Sequence, residues 1–262
     1  MDSRIAANRR LWNEWARINQ ESEFYDTASF RAGQTSLKHI ELGEVGDVAG
    51  KSLLHLQCHF GQDTLSWGRL GAKVTGVDLS PDAIARARAL ARELGIDARF
   101  LYANVLDPKE LGDAQFDIVF TSYGALNWLP NLGAWARVIA RHLKPGGRFH
   151  IVEFHPMIST LDEDAKEITS SYFNTGDALH FESTASYAGG EHAPIESYEW
   201  PHSLVEIVQS LLDAGLTVTS LHEFPYVVHN CWKFLVENEP GRYVIGHYPG
   251  KIPLLFSLSA RK

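Results

Sequence analysis

The stretch LLHLQCHFGQDTL, residues 53–65, decides the fold. A short apolar run leads into a loop that contains Gly61, and a helix-like pattern follows. In an open parallel sheet, the loop after the first strand lies beyond the carboxyl ends of the strands, where ligands bind. The stretch therefore predicts an α/β sheet with a ligand loop. Within that loop, Gln57 and His59 stand where ligand loops commonly carry glycine.

Apolar strands alternate with amphipathic helices around this stretch. Residues 80–95, SPDAIARARALARELG, predict a helix with Ser80 as N-cap and Gly95 at its end. Residues 132–147, LGAWARVIARHLKPGG, predict another. The predicted strands are SLLHL (52–56), AKVTGVDLS (72–80), ARFLYANV (98–105), FDIVFTSYG (116–124) and RFHIVEF (148–154). The alternation predicts right-handed crossovers and an α/β fold with a doubly wound, mostly parallel sheet and helices on both faces.

The rhythm changes in the second half of the chain. EITSSYFN (167–174) and LHFESTASYA (179–188) predict strands of a small β element inserted after strand five. SLVEIVQSLLDAG (203–215) predicts a helix. LTVTSLHEF (216–224) and PLLFSLSAR (253–261) predict two late strands. We expect this pair to complete a seven-stranded sheet with an antiparallel strand at its edge.

Composition narrows the possible partners. The 262 residues carry 24 Lys and Arg against 32 Asp and Glu, a net charge of −8, so a nucleic-acid backbone is a poor partner. Cys58 and Cys231 form no disulfide framework and suit a reducing cytoplasm. The N-terminal residues show no apolar signal core, and no apolar run has the length of a membrane span. We expect a cytoplasmic protein that binds neither nucleic acid nor membrane.

Gly61 and Asp78 together indicate a ribose-bearing cofactor. Gly61 permits a sharp turn into a helix, and Asp78 ends the next strand, where a carboxylate accepts hydrogen bonds from ribose hydroxyls. The alternative is that Gly61 is only a turn residue and Asp78 only a neighbour of a helix cap. A dinucleotide would require G-x-G-x-x-G for its pyrophosphate, and the loop lacks that pattern.

Five stretches carry a resemblance to a known family: LLHLQCHFG, VTGVDLS, YANVLD, FDIVFTSYGALNWLPNL and LKPGGRFHIVE. They cover residues 53–153 and resemble the motifs of class I (Rossmann-like) S-adenosylmethionine-dependent methyltransferases of the small-molecule type. The resemblance implies S-adenosylmethionine as the cofactor and a small molecule as the methyl acceptor.

The resemblance also assigns residues to parts of the cofactor. It places Asp78 on the ribose hydroxyls, Asn104 and Val105 beside the adenine, and Tyr25 near the carboxylate end. The full set of expected cofactor-binding residues is Tyr25, His55, Gln57, Cys58, Gly61, Asp78, Leu79, Asn104, Val105 and Thr121.

The first loop departs from the family pattern. His55 stands where an acid is usual, and Gln57 and His59 stand where glycines are usual. Their side chains must point away from the cofactor or contact it directly. A metal site is a further alternative for His55, Cys58, His59 and Asp63, but they span a strand end, a loop and a helix start without metal-ligand spacing. No metal is expected.

Catalytic residues are harder to predict, because methyl transfer succeeds mainly by alignment and exclusion of water. A base is needed only where the acceptor loses a proton. His155, His202 and Tyr123 are the candidates, and Asn127 lies in the same loop as Tyr123. For each histidine, the alternative is a hydrogen-bonded structural residue.

Aromatic residues concentrate in two segments that have no place in the sheet. Trp12 and Trp15 lie about one helical turn apart, and we expect their helix and the SEFYD segment to close over the cofactor. The inserted element is also aromatic, and it forms either a lid over the methyl group, its own small core, or a dimer face. Its aromatic residues are Tyr172, Phe173, Phe181, Tyr187, Tyr198 and Trp200.

We interpret residues 1–262 as one methyltransferase-like domain. Its parts are an N-terminal helical cap (1–50), a cofactor-binding core (51–155), an inserted substrate or lid element (156–200), and a helix with the terminal strand pair (201–262). The predicted activity is methyl transfer to an O, N, C or S nucleophile by a monomer or homodimer. One alternative is a non-catalytic protein that binds S-adenosylmethionine or S-adenosylhomocysteine. An NAD-type oxidoreductase fits less well.

Overall fold

A computed structural model describes residues 2–262. The helices, in chain order, are α1 (Ser3–Asn19), α2 (Thr27–Arg31), α3 (His39–Val45), α4 (Gln62–Arg69), α5 (Pro81–Leu94), α6 (Leu132–His142) and α7 (Leu204–Asp213). The strands are β1 (Ser52–Leu56), β2 (Lys73–Asp78), β3 (Ala98–Tyr102), β4 (Phe116–Ser122), β5 (Leu143–Phe154), β6 (Leu179–Ala185), β7 (Glu191–Glu199), β8 (Thr217–Phe224), β9 (Leu235–Glu239), β10 (Arg242–Ile245) and β11 (Leu255–Arg261).

Seven strands form the central sheet in the order β3-β2-β1-β4-β5-β11-β8. The first five of these run parallel, whereas β11 pairs antiparallel with both β5 and β8. The predicted doubly wound, mostly parallel sheet is therefore confirmed, and the two late strands form the antiparallel pair at its edge. Strand order reverses between β1 and β4, and open α/β sheets usually bind ligands at the carboxyl ends of the strands at such a point.

Local sequence signals explain where the crossover helices begin and end. The Ser80 side chain caps α5 by accepting a hydrogen bond from the Ala83 N–H at 3.0 Å, and Gly95 ends the helix with a φ of 64°. Asn131 caps α6 by accepting from the Ala134 N–H at 2.8 Å. This second helix ends at His142 rather than at residue 147, because Leu143 already pairs with β4.

Apolar side chains cover both faces of the sheet. On one face, Leu54 and Leu56 pack with Trp135 of α6 and Leu211 of α7. On the other face, one cluster joins Leu53, Trp67, Val74 and Phe120, and a neighbouring cluster packs α5 against Phe100. Strand β1 is thus buried on both sides, as its continuous apolar run predicts.

The inserted element contains one hairpin, β6 with β7. The predicted strand at 167–174 is wrong: apart from one bridge at Ile168, the segment is irregular, and the Ile168 and Phe173 side chains are 72% and 71% exposed. The β9–β10 hairpin was not predicted. Helix α1 lies on β7, where the Asn8 side chain exchanges hydrogen bonds of 2.7 and 2.8 Å with the Tyr198 backbone. Between residues 2 and 262, the helices are too short or too polar to traverse a lipid bilayer.

Candidate functional site

The first loop has a backbone that glycine adopts without strain. Gln57, His59 and Gly61 have φ values of 57°, 51° and 87°, so left-handed residues alternate along it. This conformation costs a non-glycine residue about 1–2 kcal/mol, so Gln57 and His59 are strained. Gly61 is further restricted by space, because a Cβ there would lie 2.8 Å from the Phe100 ring and 3.0 Å from the Ala87 Cβ. The loop therefore keeps the shape of a glycine-rich turn with bulky residues at two of its positions.

Asp78 fastens this loop to the end of β2. Its Oδ2 accepts from the His59 N–H and its Oδ1 from the Ser80 N–H, both at 2.8 Å. Burial raises the pKa of the carboxyl to about 6. Because a carboxylate offers about four acceptor positions, Asp78 can still accept further hydrogen bonds.

The two bulky loop side chains take different directions. The Gln57 Nε2 donates to the Ala125 carbonyl at 2.7 Å, and its Oε1 is buried without a partner in the described part of the chain. The His59 ring faces the N-terminal segment, with centroids 5.3 Å from Trp12 and 5.4 Å from Tyr25. Burial lowers the pKa of His59 to about 3, so the ring is neutral. The Gln57 side chain thus reaches the loop after β4, whereas the His59 ring packs against α1 and the segment that follows it.

Beneath the loop lies His55, at the position where the resemblance expected an acid. His55 is buried, its Nδ1 lies 2.8 Å from the Thr64 hydroxyl, and burial lowers its pKa to about 4. The nearby carboxylate is Asp63, in the first turn of α4, which accepts from Ser36 at 2.6 Å and from Ser122 at 3.0 Å. A neutral imidazole therefore stands where the resemblance expected an acid, with the Asp63 carboxylate near it. Sequence analysis had considered Asp63 only as a metal ligand.

The other predicted cofactor residues lie at the same edge of the sheet, but not all present side chains to a ligand. Cys58 and Val105 are buried in apolar clusters, so only their backbones remain for contact. The Asn104 Oδ1 accepts from the Leu106 N–H at 3.0 Å, which leaves its amide nitrogen. Thr121 is buried and its hydroxyl has no partner within residues 2–262. Leu79 is half-buried between Asp78 and Ser80.

Aromatic residues from α1, the loop after it and the inserted hairpin converge over the first loop. Trp12 meets Trp15 and Trp128 edge-to-face, with centroids 5.1 and 5.3 Å apart. Tyr25 packs on Phe60 at 4.8 Å, and its hydroxyl bonds to that of Tyr187. These elements pack over the first loop, and their closure over a cofactor stays a prediction.

The loop after β4 is held by a buried carboxylate that the sequence did not single out. Glu153, near the end of β5, accepts from the backbone N–H groups of Gly124, Ala125 (2.7 Å) and Leu126 (3.1 Å). Burial raises the pKa of Glu153, and these donors oppose the shift. The sequence signal that could have found Glu153 is an acidic residue within an otherwise apolar strand. Glu153 fixes the loop that carries Tyr123.

Tyr123 faces two groups that had no sequence signal. It has a φ of 24°, and its hydroxyl donates to the Glu41 Oε2 at 2.7 Å. Glu41 is fully buried in α3, which raises its pKa to about 7. The His229 ring lies 4.9 Å from that of Tyr123, and burial lowers its pKa to about 3. A neutral histidine and a readily protonated carboxylate thus flank Tyr123.

The two predicted histidines are engaged in structural contacts. The His155 Nδ1 accepts from the Met157 N–H at 3.1 Å, and its Nε2 lies 2.9 Å from the Glu223 carboxylate. The His202 Nε2 lies 2.8 Å from the Leu129 carbonyl. These contacts hold both rings in place, and burial lowers the pKa of both histidines. Asn127 is also engaged, since its Nδ2 donates to Glu199 at 2.7 Å.

The strand order, the glycine-type loop and the acidic end of β2 define a Rossmann-like, cofactor-binding α/β protein. Comparison with known proteins supports this class, because residues 53–147 match the model of a methyltransferase domain. The match agrees with the resemblance to class I S-adenosylmethionine-dependent methyltransferases. The resemblance seen in the sequence is therefore confirmed.

Individual relatives are more distant. An uncharacterized methyltransferase of Synechocystis sp. is 29% identical over 124 residues, covering 47% of this chain and 56% of the relative. The ubiquinone biosynthesis O-methyltransferase of Xanthomonas oryzae pv. oryzae is 34% identical over 105 residues, covering 40% and 44%. The chain thus matches about half the length of these relatives. A putative S-adenosylmethionine dependent methyltransferase from Listeria monocytogenes shares the fold, with a TM-score of 0.60 and 18% identity over 83% of this chain and 92% of that one.

Proposed function

We propose that the protein transfers a methyl group from S-adenosylmethionine to a hydroxyl of a small-molecule acceptor. The observation that carries this proposal is the first loop, whose left-handed backbone places the His59 N–H on Asp78 while leaving acceptor positions on that carboxylate. The oxygen acceptor is supported by the printed name of the Xanthomonas relative, an O-methyltransferase.

The residues present fit this cofactor better than a dinucleotide. Asp78 would hold the ribose hydroxyls, and the buried Gln57 Oε1 lacks a donor that a ligand would supply. Asn104 and the Val105 backbone would flank the adenine. The side chains of Gln57 and His59 occupy the loop that a pyrophosphate would have to approach through backbone atoms. When bound, the cofactor supplies an activated methyl group, so the protein needs chiefly to orient the acceptor and exclude water.

The acceptor side offers one place for a proton. An acceptor hydroxyl that bonds to the Tyr123 oxygen can pass its proton to Tyr123 while Tyr123 passes its own to the Glu41 Oε2. Glu41, with a pKa raised to about 7, holds the transferred proton near neutral pH. The His229 ring, with a pKa lowered to about 3, stays neutral and offers a hydrogen-bond acceptor.

Two experiments test the proposal, first calorimetry and then a turnover assay. Titration with S-adenosylmethionine, S-adenosylhomocysteine and NAD should show binding of the first two only, and binding of NAD alone would refute it. Release of S-adenosylhomocysteine is then measured with matched hydroxyl, amine and thiol acceptors, for which we expect turnover with hydroxyls.

Non-catalytic binding is the second candidate, and the strain at Gln57 and His59 favours it. Cofactor binding without turnover on any acceptor would support it. A Gln57→Gly/His59→Gly variant that binds much more tightly and gains turnover would show that the natural loop is a degraded site. We also propose a cytoplasmic monomer or homodimer, which the two free cysteines support for location.

A further inference from the structure

Helix α3 meets the connection between β8 and β9 (residues 225–234) on the side of the site that holds Tyr123. The His39 Nε2 lies 3.1 Å from the Tyr226 hydroxyl, and the two rings stack with centroids 5.9 Å apart. Lys38 comes directly before His39, and His229 follows Tyr226 in the same connection. This contact therefore brings the start of α3 and the His229 ring to the same side of the site.

The His229 ring is held by packing alone. It stacks on Phe24 with centroids 5.5 Å apart and an interplanar angle of 28°, and it meets Tyr123 edge-to-face at 4.9 Å. Within residues 2–262, this half-buried residue forms hydrogen bonds only through its carbonyl oxygen. Because burial lowers its pKa to about 3, the imidazole is neutral and carries one N–H donor and one acceptor nitrogen. Both are available to a polar group of a ligand.

Lys38 adds a positive charge that has no counter-ion. Its side chain is half-buried, and the ion pairs within residues 2–262 do not include it. Two nearby carboxylates are engaged elsewhere: Glu41 accepts from the Lys38 backbone N–H at 2.6 Å and from Tyr123, and Asp63 accepts from two serine hydroxyls. After burial, the Lys38 charge is the next cause that lowers the pKa of His229, so the ammonium acts on this ring.

The donors on this side of the site match one kind of ligand group. Lys38 offers an ammonium and His229 an N–H, and both lie beside Tyr123, which receives the acceptor hydroxyl in the proposed function. A carboxylate accepts at both of its oxygens and carries the opposite charge. A ligand ammonium would repel Lys38, and an uncharged oxygen would leave the Lys38 charge unpaired.

We propose that Lys38 and His229 bind a carboxylate of the methyl acceptor while the acceptor hydroxyl lies on Tyr123, so that the substrate is a hydroxy acid. This inference rests on the proposed function. Aromatic rings border the same space, since Phe154 lies 6.2 Å from the Tyr123 ring and 4.8 Å from that of Trp232. An apolar or aromatic body between the hydroxyl and the carboxylate fits such a border. The connection between β8 and β9 then belongs to the acceptor site.

Binding to the protein loaded with S-adenosylhomocysteine tests the preference for a carboxylate without turnover. Calorimetry compares ortho-, meta- and para-hydroxybenzoate, each with its uncharged amide, in the wild type and in Lys38→Gln. The wild type should bind at least one acid about ten- to a hundredfold more tightly than its amide, the range for hydrogen bonds to a charged group. Lys38→Gln keeps the backbone bond to Glu41 and should reduce this preference to about threefold or less.

Two further variants separate the ring nitrogens from general effects. His229→Phe keeps an aromatic ring for packing but removes the N–H, so it should weaken binding of the acid by about tenfold. Lys233→Gln is the matched control, because this lysine lies in the same connection but is exposed, and it should change neither affinity.

Equal affinities for acid and amide in the wild type, or a preference that persists in Lys38→Gln, would overturn the inference. Failure of every acid to bind would do the same. If the protein in these cases still binds S-adenosylhomocysteine and methylates uncharged hydroxyls, the proposed function stands. A wild type that does not bind S-adenosylhomocysteine would overturn both.

Discussion

Replacing Asp78 by asparagine separates ligand binding from stability. The carboxylate accepts two backbone hydrogen bonds at 2.8 Å and, in the proposed complex, two more from ribose. Asparagine has a single acceptor oxygen, so its NH₂ group must face one of the backbone donors or a ribose hydroxyl. Loss of a charge-assisted bond costs about 1.5–3 kcal/mol, so S-adenosylhomocysteine should bind about ten- to a hundredfold more weakly.

The stability of the ligand-free protein should respond differently. The folded-state pKa of Asp78 is about 6, above the ordinary aspartate value of 3.8, so its contribution to the free energy of unfolding is full below pH 4 and lost as the pH rises to about 6. At pH 7, this burial costs about 3 kcal/mol. Asp78→Asn removes that cost but loses a hydrogen bond worth about 1–3 kcal/mol, so its stability at pH 7 should be unchanged or higher.

Calorimetry at several pH values and urea unfolding measure the two effects. Wild-type affinity should fall about tenfold per pH unit below about pH 6, because ribose requires the ionised carboxylate, and Asp78→Asn should lose this dependence. Asp82→Asn, an exposed carboxylate in the first turn of α5, is the control. A variant at Asp78 that is less stable but binds with unchanged affinity would refute the ribose assignment.

Three further outcomes are expected. Gly61→Ala should lower the free energy of unfolding by about 2–4 kcal/mol, because alanine is strained at a φ of 87° and its Cβ would clash with neighbouring side chains. Gly95→Ala is the control: its Cβ would meet open space, so it should cost only about 1 kcal/mol. Equal urea midpoints for the two variants would contradict this prediction. The Gln57→Gly/His59→Gly double variant should bind S-adenosylhomocysteine within about tenfold of the wild-type affinity by calorimetry, because glycine adopts the same φ values. Abolished binding would be inconsistent with this prediction. Hydrogen exchange at residues 8–30 should slow when this ligand binds, and unchanged rates would argue against a lid.

The candidate site could be predicted from sequence only where local signals mark it. The carboxylate of Asp78 ends an apolar strand, and Gly61 precedes a helix, so position alone marked both as candidates. Glu41 and His229 were missed because they come from an N-terminal helix and a late connection, and only folding brings them beside Tyr123. Their altered pKa values arise from burial, which no short pattern encodes.

The two candidate histidines, His155 and His202, show the same limit of prediction from sequence. His155 was predicted as a base because it follows strand five, yet its Nε2 lies 2.9 Å from Glu223 of β8. His202 was the other candidate, and its Nε2 lies 2.8 Å from the Leu129 carbonyl. Position along the chain brought them near the site, but pairing with distant residues determined what their nitrogens contact.

By itself, the sequence determined the strand–helix alternation and the mostly parallel sheet with its antiparallel edge, because periodicity, caps and turn residues act over a few neighbours. Only the tertiary structure decided how Gln57 and His59 keep a glycine-type backbone. His59 is held by aromatic rings from α1 and the segment after it, and Gln57 by the Ala125 carbonyl beyond β4. Local preference opposes both conformations, and contacts between residues far apart in sequence supply the energy that maintains them.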